Sequence, residues 1–125
     1  MSQAQLTSVP TPHSLEDVRT SVEAAGGVVT FRAGDLRDAF GAGRLSSGVR
    51  DGISRGLLGL GLGHYPQELP DWQDFLVRVY KLGSPIADII DAVLVPSPAH
   101  DEELRQAVHG DAAEILQRIR DLVSQ

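Results

Sequence analysis

RLSSGVRDGISRGLLGL, residues 44–60, is the stretch that decides the fold. Its apolar side chains Leu45, Val49, Ile53, Leu57 and Leu60 recur at intervals of four, four, four and three. At about 100° per residue they gather on one stripe, roughly a third of a helix circumference wide. A strand would alternate every second residue, so this stretch reads as a helix with one buried side. The opposite side carries Arg44, Ser47, Arg50, Asp51, Ser54 and Arg55. Upstream, Gly41-Ala42-Gly43 makes a tight turn, and Gly34 to Phe40 reads as a short helix turning Leu36, Ala39 and Phe40 inward. Before it, Val28, Val29, Thr30 and Phe31 form a β-prone run. Ser14 with Asp17 has the look of a helix cap with its reciprocal acid, and Leu15, Val18, Val22 and Ala25 follow at helical spacing until Gly26-Gly27.

Downstream, Gly61 and Gly63 end the long helix and His64-Tyr65 opens a strand. The loop PQELPDWQD, residues 66–74, leads into FLVRVYKL, where Phe75, Val77 and Val79 share one face and Arg78 and Tyr80 the other. Ser84, Pro85 and Asp88 start a further helix, because proline is tolerated in a first turn where its missing N–H goes unused. Ile86, Ile89, Ile90, Val93 and Leu94 form its apolar side, and Pro96 and Pro98 are expected to end it. HDEE at 100–103 reads as an acidic first turn, followed by the stripe Leu104, Val108, Ala112, Ile115, Leu116, Ile119, Leu122 and Val123. Asp111 and Glu114 are placed to recap this tail after His109-Gly110.

The order helix, short strand, helix, tight turn, longer helix, strand, loop, strand resembles that of the winged helix-turn-helix superfamily over residues 14–83. The residues that carry the resemblance are VVTF, LRDAFGAGRL at the corner, the stripe from Leu45 to Leu60, and the hairpin from His64 to Leu82. It implies an α+β, mainly α fold: a polar arm over residues 1–13, a winged-helix core with a small antiparallel hairpin wing over 14–83, and C-terminal helices over 84–125. In that superfamily the second helix of the pair enters the DNA major groove and the hairpin loop touches the adjacent backbone, while many members bind proteins instead.

Composition limits the function classes. With 125 residues, 42% apolar, and no cysteine, the chain has enough length for one aliphatic core and lacks thiol nucleophiles, cysteine zinc sites and disulfides. His13, His64, His100 and His109 share no ligand spacing, no serine, histidine and acid fall in a catalytic motif, and GLGLG at 59–63 follows a helix where a phosphate loop follows a strand. No metal, cofactor or enzymatic activity is expected. The first thirteen residues hold no Lys or Arg and no window approaches a membrane span, so the expectation is a cytoplasmic protein.

Charge is unevenly spread. The net charge is −6, yet residues 28–65 sum to +2 and residues 84–125 to −5. On the functional reading, Arg44, Ser47, Arg50, Ser54 and Arg55 contact phosphates and guanine edges, helped by Arg78 and Lys81 on the last strand. On the plainer reading this is a solvated face with an Asp51–Arg55 pair. Gly48, Gly52 and Gly56 line one flank of the helix and ask for a close neighbour, whether another helix, DNA or a partner. The loop at 66–74 carries Glu68, Asp71 and Asp74 and no base, which departs from a phosphate-gripping wing. Trp72 at its centre either folds back or anchors a protein partner. Val108, Ala112, Ile115, Ile119 and Leu122 step at the seam spacing of a paired helix, which suits a homodimer. The leading expectation is a dimeric regulator binding duplex DNA, and the alternative is a protein-interaction module using the glycine flank, Trp72 and the acidic tail.

Overall fold

The computed structural model describes residues 11–109 and positions 117, 120 and 121. The chain forms two compact units, Met1–Ile86 and Ala87–Gln125. In the first lie α1 (Leu15–Ala24), β1 (Val28–Arg32), α2 (Ala33–Phe40), α3 (Ser47–Gly59), β2 (Leu62–Tyr65) and β3 (Leu76–Lys81). Next in the chain come α4 (Pro85–Leu94), which begins two residues before the division, and α5 (Pro98–His109), so the fold is α+β and mainly helical. No helix among the described residues is long and apolar enough to cross a membrane.

At the starts of α1, α2, α3 and α5 a side chain satisfies an open amide. Ser14 Oγ accepts from the Asp17 amide at 3.1 Å. Asp17 does not return the bond to Ser14, as a reciprocal box would, but accepts from the His13 amide at 3.0 Å. This bond and the burial of Pro12 tie down the end of the arm. Ahead of α2 the Asp35 carboxylate accepts from the Arg32 amide at 3.2 Å. Ser46 caps α3, its Oγ accepting from Val49 at 3.2 Å. The cap therefore starts α3 at Ser47 and leaves Arg44 outside the helix.

The sheet is three-stranded and antiparallel in the order β1-β3-β2. Phe31 pairs with Val77 and Val29 with Val79 on one face. Phe31, Val77 and Val79 are fully buried there in a core with Val18 and Val22 of α1, Leu36 of α2, Ile53 and Leu57 of α3, and Leu62. Leu45, Val49 and Leu60 pack around its edge, so the stripe read from spacing is the buried side of α3.

Three local expectations change. Phe75 does not open the inward row of the last strand: β3 starts one residue later, after the Phe75 amide closes a turn on the Trp72 carbonyl at 3.2 Å, and the ring is 56% exposed. Phe40 is 41% exposed instead of turned into the core. Pro98 begins α5 rather than ending α4, because Ser97 Oγ caps the His100 amide at 3.0 Å and proline fits the first turn. In the second unit Ala87 and Ala92 are buried, whereas Ile89, Val93 and Val108 are exposed. Of the expected pairing seam, Ala112, Ile115, Ile119 and Leu122 lie outside the described residues.

The glycine flank of α3 is largely explained by packing inside the first unit. A Cβ at Gly52 would stand 2.6 Å from Phe40 Cζ, and one at Gly56 2.6 Å from Leu15 Cδ1, whereas one at Gly48 would meet nothing within 4 Å. Phe40 thus lies across α3 only because residue 52 has no side chain. Gly52→Ala is expected to destabilise the protein by about 1–3 kcal/mol through displacement of the ring. Gly48→Ala, in open space, is expected to stabilise it by about 0.5–1 kcal/mol through helix propensity. Urea denaturation midpoints moving in opposite directions are the expected result, and midpoints moving together would refute this packing account.

Candidate interaction surface of α3 and the β2–β3 loop

The polar side of α3 is mostly engaged within the fold. Arg50 Nε donates to the Leu45 carbonyl at 3.0 Å and Arg50 Nη1 to the Leu69 carbonyl at 3.3 Å, joining the turn before α3 to the β2–β3 loop. Arg55 pairs with Asp51 one turn away, both side chains exposed. Ser54 Oγ and His64 Nε2 lie 2.8 Å apart, and His64 Nδ1 is 2.7 Å from the Pro66 carbonyl. A carbonyl only accepts, so Nδ1 carries the proton, and Nε2 of the neutral ring accepts the Ser54 hydroxyl proton. Ser47 is exposed at the start of the helix, and Arg44 is exposed in the turn before it.

Between α3 and the loop runs a groove of about 270 Å³, lined by Ser47, Arg50, Asp51, Ser54, Gln67, Glu68 and Leu69. It sets two carboxylates beside one guanidinium already bonded to carbonyls. Phosphate oxygens would meet no surplus of positive charge there.

Sequence reasoning placed the loop as an acidic wing and missed the residue that positions it. Leu69 is buried. The Ala33 amide donates to the Phe75 carbonyl at 2.8 Å and the Gly34 amide to the Gln73 carbonyl at 2.9 Å. Arg37 Nη1 donates to Gln73 Oε1 at 3.1 Å. Gly34 permits this approach, since a Cβ there would sit 3.1 Å from Gln73 Cβ. The available signal was an isolated leucine between Pro66 and Pro70 in an otherwise polar loop. Sewn to α2 and α3, the loop turns Trp72, Phe75 and Leu76 outward at 57%, 56% and 58% exposure.

Of the two cations of β3, Arg78 does not join the α3 face. Val77 and Val79 point into the helical core, so Arg78 between them occupies the far side of the sheet, beside Tyr65 in register. Lys81 is exposed at the end of the strand. Arg32 bonds Asp35 through Nε and Nη2, both at 3.2 Å, and Asp35 is only 5% exposed. These hydrogen bonds first, and the carboxylate charge second, push the guanidinium above its ordinary pKa. Among the described residues no three His, Asp or Glu come together to hold a metal ion. Comparison of the chain with known protein families, characterised proteins and solved structures finds no match.

The roles of the two arginines can be separated by stability alone. Arg50→Ala should cost about 1–3 kcal/mol, because it removes charge-assisted bonds that bridge two segments. Arg55→Ala should change stability by less than about 0.5 kcal/mol, since its ion pair is solvent-exposed. Thermal unfolding of the two variants checks this, and an Arg50→Ala protein as stable as the parent would show that the tether is idle.

Proposed function

We propose that the first unit is a winged-helix domain used as a protein-interaction module, an adaptor or assembly component, with Trp72, Phe75 and Leu76 as its contact surface. The observation that carries this reading is the opposite fate of the two candidate surfaces. On α3, Arg50 is spent on backbone carbonyls and Arg55 on Asp51, in a chain of net charge −6. At the base of the β2–β3 loop, three large apolar side chains stand more than half exposed within the five residues 72–76. Tryptophan and other large side chains that give up water on docking supply most of the energy at protein interfaces. A DNA reader of this architecture would instead need several unpaired cations converging on the groove.

DNA recognition is the second reading, favoured by Arg44 and Ser47, exposed at the start of α3, and by the helix-turn-helix order itself. One experiment separates the two. A photo-crosslinking residue placed at position 72 or at position 55 is irradiated in cells. The module predicts a discrete protein adduct from position 72, lost when Phe75 and Leu76 are both serine, and none from position 55. It also predicts no mobility shift of random duplex DNA at low salt. A salt-sensitive shift abolished by Arg44→Ala, with no protein adduct at position 72, would transfer the function to DNA binding.

A further inference from the structure

The outer face of the sheet differs in charge from the rest of the molecule. Its strand residues include Thr30, Arg32, Tyr65, Leu76, Arg78 and Tyr80, which bring two arginines and no carboxylate in a chain of net charge −6. Arg32 is bonded to Asp35. Arg78 is exposed, and no ion pair among the described residues involves it. Beside it lies a hollow of about 270 Å³ lined by Thr30, Tyr65, Pro66, Leu76 and Arg78. Leu76, one of the exposed apolar residues, forms part of its wall, which is otherwise made by Tyr65, Pro66, the Thr30 side chain and the guanidinium.

We propose that this hollow docks an acidic, amphipathic protein segment that seats an apolar side chain against Tyr65, Pro66 and Leu76 and lays a carboxylate on Arg78. This rests on the interaction-module reading and gives the partner its chemistry. Leu76 and Arg78 are two residues apart on one strand, so the partner's apolar group and carboxylate are about 7 Å apart. That spacing is met by positions i and i+2 of an extended segment. Charge complementarity selects the sign: among the described residues of this face Arg78 is the cation outside any ion pair, and its planar fork takes a carboxylate in two parallel bonds. A single nucleic-acid strand would stack on Tyr65, but it needs a track of cations, and here one guanidinium is unpaired.

The test uses the full chain and a short fluorescein-labelled peptide repeating Leu-Ser-Glu-Ser. Saturable binding by anisotropy is expected, with amide shifts in the nitrogen-15 spectrum centred on Thr30, Tyr65, Leu76 and Arg78. Arg78→Glu and Leu76→Ser should each weaken it by about tenfold or more, while Arg78→Lys should retain part of it. Peptides with lysine in place of glutamate, or serine in place of leucine, should not bind. Equal affinity for the lysine peptide, or indifference to Arg78→Glu, overturns the proposal. So does binding of oligo-dT at the same amides, or a light-scattering mass of two chains that Arg78→Glu reduces to one, which would assign the face to nucleic acid or to a second copy. If the charge dependence fails while position 72 still crosslinks to a protein, only the partner chemistry falls. Peptide binding without any adduct at position 72 would instead sink the use of the loop surface.

Discussion

The anchorage of the β2–β3 loop is the constraint on which the rest of the surface depends. Burying a leucine is worth about 1.5–3 kcal/mol and hydrogen bonds to a charged group a comparable amount. Leu69 and Arg50 together therefore hold the loop with a sizeable part of the roughly 5–15 kcal/mol by which a small domain is stable. Amides of Ala33 and Gly34 pin its other end. A segment so tied is no free arm for gripping a duplex. Its attachment commits Nε and Nη1 of Arg50 to the Leu45 and Leu69 carbonyls, which fixes the guanidinium against the loop.

The anchorage also decides what faces water. With the chain drawn in at Leu69 and again at Gln73, the residues between and after these points are turned outward, and Trp72 and Phe75 have no interior left to enter. The acidic residues Glu68, Asp71 and Asp74 flank this apolar ground. The far side of the sheet, where Arg78 stands, carries no carboxylate on its strand residues.

Most of the backbone was legible in the sequence, because spacing reports which side of an element is buried. The stripe from Leu45 to Leu60, the Ser14 cap, the helix start at Pro85 and the alternation of Val77 with Val79 each obey a local rule. What spacing does not report is where a long polar side chain finds its partner. Arg50 and Arg55 both lie outside the apolar stripe, about 140° apart on the helical wheel, and one reaches a carbonyl 19 residues away while the other meets a carboxylate on the next turn. Leu69 escaped for the same reason, since a lone apolar residue in a proline-bounded loop has no periodicity. The glycine spacing asks for a close neighbour, and only the packed structure names Phe40 and Leu15 as the side chains that answer it at Gly52 and Gly56.

The strand order β1-β3-β2 places the last strand of the first unit in the middle of its sheet. Until Leu76 to Lys81 has been synthesised, β1 and β2 share no hydrogen-bonding partner, and the valines that close the core have not left the ribosome. Three helices and two unpaired strands must wait for this one segment, so assembly of the unit is an end-loaded event in translation. Nascent chains that stop short of residue 81 would emerge with their apolar stripes uncovered, as natural clients for chaperones and proteases.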